Sequence, residues 1–165
     1  MKTQTTITEI TKEDLVDLFS SALYGSSYLS ADYDEEDKRD DDDCFEEALA
    51  SILLNGGRVR FTDGYAEDGE VYGNLTCVVE KNEEYDCLAT TYFVTLQDVL
   101  DGLTRAANGT FNAGENDEYT PDWRDRNIEF ARRSFNAFLF DEASWDALTA
   151  DCLMQIVLFD QIVYG

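Results

Sequence analysis

Asp32, Asp34, Glu35, Glu36, Asp37, Asp40, Asp41, Asp42, Asp43, Glu46 and Glu47 place eleven carboxylates within sixteen residues, against only Lys38 and Arg39. Carboxylates at this density support three kinds of chemistry. Alternate oxygens, as in Asp32-x-Asp34-x-Glu36, suit calcium, but the sixth place, where a calcium loop needs glycine, holds Asp37. Loose screening by divalent ions is therefore favoured over a specific metal site. Two acids about 5–9 Å apart can act as acid and base, as in glycosidases. Among 36 acidic residues such pairs arise by chance, so the pattern carries little weight. The third use is imitation of a phosphate backbone. Neighbouring like charges repel by roughly 1 kcal/mol per pair even in water, so the block is not there for stability. A solvated acidic loop is the plain alternative.

The other reactive groups narrow the field. The chain has no histidine, which removes the commonest general base, the usual triads and most zinc sites. Neither a G-x-x-x-x-G-K-[ST] nor a G-x-G-x-x-G loop occurs, and Gly56-Gly57 reads as a helix stop. Cys44, Cys77, Cys87 and Cys152 are scattered without a C-x-x-C, as expected of reduced thiols. Cys77 and Cys87 read as buried strand residues that face each other rather than as half a zinc site. Trp123, Trp145 and nine tyrosines could line a sugar cleft, but tryptophan at helical spacing is more often core or interface. The expectation is a protein without catalytic residues, cofactor or resident metal.

The rest of the chain shares the bias of the block. Its 165 residues carry a net charge of −24, with 44% hydrophobic content, which is enough for a globular core. Duplex DNA has one charge per ~1.7 Å, so the same charge corresponds to about 12 base pairs over roughly 41 Å. A folded chain of this length is about 40 Å across. A basic groove built for nucleic acid would meet a similar charge density on either. The same negativity argues against direct binding of nucleic acid or an anionic membrane. The N-terminal residues do not read as a signal peptide, and no apolar run approaches the ~18 residues of a membrane span, so the expected location is the cytoplasm.

The elements that would carry these groups follow from periodicity. Thr11 to Asp14 is a capping box opening a helix over 12–24, with Gly25 as a left-handed stop. Residues 24–33 read as a loop. Asp40 to Asp43 face the start of a second helix over 43–54. Alternation then predicts strands over 58–63, 71–80 and 85–95, joined as a meander. A helix over 95–107, a mobile loop over 109–120, a helix from Pro121 to about 138, a last helix capped by Asp141 or Ser144 through 159 and a short edge strand at 162–164 complete the chain. The fold class is α+β: one domain, a three- to four-stranded antiparallel sheet and four to five packed helices.

Arg124, Arg126, Arg132 and Arg133 gather half of the eight arginines on the 121–138 helix. They are expected to pair with surrounding acids within the chain. The alternative is a homodimer contact between one subunit's basic helix and another's acidic face.

Ile52-Leu-Leu-Asn-Gly-Gly-Arg-Val-Arg-Phe-Thr-Asp63 and the closing Leu153-Met-Gln-Ile-Val-Leu-Phe-Asp-Gln-Ile-Val-Tyr-Gly165 resemble segments of small acidic proteins of phages and mobile elements of gut bacteria. In size, acidity and lack of a catalytic motif the chain is also similar to DNA-mimic antirestriction and anti-CRISPR proteins. That likeness implies a non-catalytic inhibitor that occupies the nucleic-acid groove of a basic partner, such as a defence nuclease. Asp32, Asp34, Glu35, Glu36, Asp37, Asp40, Asp41, Asp42 and Asp43 would stand in for phosphates. Glu67, Asp68 and Glu70, with Glu115, Asp117 and Glu118, would extend the stripe. The alternatives are an adaptor whose acidity serves solubility and a carboxylate-based enzyme.

Overall fold

The computed structural model describes residues 4–39, 42, 44–66, 69–83 and 86–164. Helix α1 (Lys12–Gly25) starts where the Thr11 hydroxyl accepts from Asp14 N, and it buries Leu15, Leu18, Phe19 and Ala22 at helical spacing. The stop is not the left-handed glycine expected, because the cap, Ser26, is extended. A Cβ on Gly25 would lie 2.2 Å from that of Ala147, so Gly25 permits close approach of another helix. Strand β1 (Leu29–Asp32) lies where a loop over 24–33 was expected, and a 3-10 turn (Glu35–Asp37) follows it. Four residues with Leu29 and Ala31 on one face are too short to stand out in a sequence.

Helix α2 (Phe45–Leu54) begins after Cys44, two residues later than the acidic run suggests, and the Asn55-Gly56-Gly57 turn ends it as expected. Strands β2 (Arg58–Asp63), β3 (Cys77–Asn82) and β4 (Cys87–Thr95) join β1 in a four-stranded antiparallel sheet of order β1-β2-β4-β3. The predicted meander is therefore corrected: β2 pairs with β4, and β3 lies at the edge. The reason is burial. Strand β4 hides Thr90, Tyr92 and Val94 and takes an inner place, whereas Val78 and Val79 on β3 are each 40% exposed. The β3–β4 register sets Asn82 opposite Cys87 and Cys77 opposite Tyr92, so the two thiols do not face each other.

Helix α3 (Leu96–Asn108) opens with both halves of the Thr95–Asp98 capping box and stops at the left-handed Gly109. Helix α4 (Trp123–Phe140) starts after Asp122, so Pro121 lies in the preceding turn rather than in the first helical position. Helix α5 (Ala147–Phe159) is capped by Asp146 with Thr149, not by Asp141 or Ser144. Residues 149 and 150 and every residue from Cys152 to Phe159 are buried, so α5 is the central rod of the core, packed on α1, α3 and α4. Gly102 on α3 permits this contact, since a Cβ there would meet Val157 Cα at 2.6 Å. The expected strand at 162–164 reduces to one bridge between Asn112 and Gln161. Within the 109–120 segment Asn112 N donates to Asp160 O, Asn127 donates to Ala113 O, and Phe111 and Ala113 are buried, while residues 115–119 are exposed. The architecture is α+β, with five helices among the described residues.

Candidate functional site

The acidic block begins on the free edge of β1, beside α2. Arg60, opposite Asp32 in the β1–β2 register, donates to Asp32 at 3.0 Å and to Asp34 at 2.9 Å. The hydrogen bond from Arg60 holds the Asp32 carboxyl below its usual range. Both acids remain exposed, but one guanidinium offsets part of their charge. Glu35, Glu36 and Asp37 are exposed and make no ion pair among the described residues. Arg39 ties the end of the segment to α2 through Asn55 at 2.6 Å.

Asp42 corrects the expectation that the whole block faces outward. Its side chain is buried, with Oδ1 accepting from Lys12 Nζ at 3.0 Å and from Ser51 Oγ at 2.8 Å. Burial alone would raise its pKa, but the Lys12 and Ser51 hydrogen bonds and the Lys12 charge hold it below the ordinary value. Asp42 thus fastens α1 to α2 and cannot stand in for a phosphate. Asp40, Asp41 and Asp43, with Glu67 and Asp68, lie outside the described residues.

The other predicted acids occupy separate places. Glu70 is exposed near the β3–β4 edge, where it accepts from Tyr72 and its carbonyl accepts from Thr90 Oγ1. That edge is across the sheet from β1. Glu115 and Glu118 are exposed before α4, while exposed Asp117 accepts from the backbone and hydroxyl of Thr120, bonds that lower its pKa. The sequence missed a further acidic surface: Glu13, Asp14 and Asp17 of α1 with Asp141 line a hollow of about 550 Å³ above Phe138 and Leu139.

The arginines of α4 pair with acids less than expected. Arg126 lies 3.3 Å from Asp122, Arg132 donates to Asn108 O, and Arg133 sits over the Phe130 ring. Arg124 makes no ion pair among the described residues. Among the described residues, Arg60 and Arg105, the latter 2.8 Å from Asp160, are the arginines that engage acids across the fold.

A second cluster has no local signature in the chain. Asp63, wholly buried on the inner face of β2, accepts from the Tyr164 hydroxyl and from Tyr65 N at 2.9 Å. Asp151 on α5 accepts from the Tyr28 hydroxyl at 2.5 Å and from Gln155 at 2.7 Å. Burial raises the pKa of both carboxyls against these hydrogen bonds. It also raises those of the Tyr28 and Tyr164 phenols, with their carboxylate partners adding to the effect. Neither Asp63 nor Asp151 has an ion pair among the described residues.

Among the described residues no three or more acids or cysteines are grouped to hold a metal, and no helix is long and apolar enough to cross a membrane. Comparison with protein-family models, curated proteins and solved structures gives no match.

Proposed function

We propose that the protein is a non-catalytic acidic inhibitor that occupies the nucleic-acid groove of a basic partner, such as a CRISPR nuclease or restriction enzyme of a bacterial host. One observation carries this reading: among the described acids of a −24 chain, only Asp42 and Asp63 are buried. Surface negativity of that density steers association with a basic groove and makes it fast and salt-dependent. Glu35, Glu36 and Asp37, without an ion pair among the described residues, are the described part of the contact, in the 3-10 turn that follows β1.

The test is competition. The immobilised protein captures its partner at low salt, and a duplex of about 12 base pairs is then added. The reading requires release by duplex and loss of capture at high salt. Capture indifferent to both would favour the adaptor alternative, which draws support from Tyr24 (94% exposed), Tyr119 and Phe140 on the surface.

A further inference from the structure

Five segments converge on a cleft of about 570 Å³ beside the buried tyrosine–aspartate cluster: the end of α1, the start of β1, the turn after β2, the start of α5 and the last described residues. Close packing of Gly25 on Ala147 brings the two helix ends together there. Tyr28, Tyr65, Tyr164 and Asp151 are in the lining. The rings of Tyr28 and Tyr164 lie 4.3 Å apart, and Tyr65 stands at 85° to Tyr164 with centroids 6.3 Å apart.

We infer that this cleft, with its three tyrosine rings and the Asp151 carboxylate, is a binding site for a small organic cation of the alkylammonium class. The inference is independent of the partner proposed for the acidic surface.

The first argument is what the lining has left to offer. The Tyr28 hydroxyl donates to Asp151 and the Tyr164 hydroxyl to Asp63. Both phenol protons are thus engaged; Tyr28 is 8% exposed and packed among rings, so the ring surface that remains is chiefly that of half-buried Tyr164 and exposed Tyr65. A phenol that donates to a carboxylate also carries more electron density in its ring, which strengthens attraction for a cation.

The second argument is charge. Asp151 is half-buried, and both of its partners, Tyr28 and Gln155, are neutral. A cation arriving there would supply the missing counter-charge. The free N–H groups at the start of α5, which would oppose a cation, are partly satisfied by Asp146 through Thr149 N at 2.9 Å.

The third argument is exclusion. A hard metal ion needs about six oxygen ligands, several of them carboxylates, and Asp151 is the one carboxylate in the described lining. An anion would meet Asp151 and a chain of charge −24. An alkylammonium loses its hydration readily and is held by ring faces and one carboxylate together, and the volume suits a small molecule.

Tetramethylammonium is the probe and tert-butanol its uncharged comparator, titrated calorimetrically at one high ionic strength set with sodium chloride so that diffuse screening is constant. The expected result is one-to-one binding of tetramethylammonium with no response to tert-butanol. Tyr65→Ala weakens binding about fivefold or more, and Asp151→Asn weakens it further. Tyr24→Ala, on an exposed ring outside the cleft, leaves it unchanged. Tyr65 is 54% exposed and its hydrogen bond to Asp63 is made by its backbone N, which alanine keeps, so Tyr65→Ala loses only ring contacts with Tyr28 and Tyr164 and keeps the test usable if Asp151→Asn misfolds. Equal binding of tert-butanol, or tetramethylammonium affinity that ignores both cleft substitutions, would overturn the assignment.

Discussion

The phenol of Tyr164 donates to both oxygens of Asp63, at 3.0 and 2.8 Å, across 101 residues of chain. The contact pins the last described residues to the inner face of the sheet. Gln155 completes the fastening: its carbonyl accepts from Val163 N and Tyr164 N, and its amide donates to Tyr164 O. A carboxylate with no exposed surface keeps its place only while these donors are present.

Tyr164→Phe removes both bonds and leaves Asp63 with the Tyr65 amide alone. The expected loss is about 1–3 kcal/mol, the cost of an unsatisfied buried acceptor. Urea unfolding at neutral pH measures it. Because the lost donor matters through the charge of Asp63, Asp63→Asn combined with Tyr164→Phe should lose less than the sum of the two single changes.

The pH dependence has two opposed limbs. Burial raises the pKa of Asp63 and Asp151 in the folded state, so their contribution is fully present below the unfolded value, about 4, and is lost as pH rises through the folded values. Asp32 and Asp42 are lowered, so their contribution is present above about 4 and is lost as pH falls through the folded values. Asp63→Asn should therefore flatten the decline in stability from mildly acidic to neutral pH. Asp42→Asn should flatten the loss in strong acid. Urea midpoints at a series of pH values separate the two, and identical profiles for both variants would contradict the assignment.

Gly102 and Gly56 make a paired test of packing against backbone strain. At Gly102 a Cβ would meet Val157 Cγ2 at 2.5 Å and its Cα at 2.6 Å, so the α3–α5 contact must open. Gly102→Ala is expected to cost about 3 kcal/mol, the upper part of the overpacking range. At Gly56 nothing lies within 4 Å, and only its φ of +86° opposes a side chain, a cost of about 1 kcal/mol. The order of the two unfolding midpoints decides the matter.

Local signals in the sequence reached what they could reach. The Thr95–Asp98 capping box and the apolar run from Leu153 are complete within a few residues, and α3 and α5 lie close to where those signals put them. Strand β1 and the inner place of β4 depend on partners far along the chain, and the role of Gly25 depends on Ala147. The site divides the same way. Exposed carboxylates in one run are visible as composition, whereas Tyr28 and Asp151 are 123 residues apart and become neighbours only through α5. Asp42 looks like its neighbours in the run until Lys12 and Ser51 are brought to it.

That distinction among the acids yields the sharpest test of the proposed function. Glu35, Glu36 and Asp37 are exposed and without an ion pair among the described residues, whereas Arg60 offsets Asp32 and Asp34. Replacing the three by Gln, Gln and Asn removes three charges available to a basic groove and breaks no side-chain hydrogen bond found among the described residues. Partner capture should weaken by about tenfold or more, and its salt dependence should become shallower, since each exposed interface charge contributes to steering and attraction. Asp42→Asn removes a charge from the same block, but a buried one, and should leave capture within about twofold once the variant's stability is matched by temperature. Surface binding measured over a salt series on both variants distinguishes a role for placed surface charge from a role for net charge alone. If the two variants weaken capture in proportion to charge removed, the groove-occupying reading loses its support.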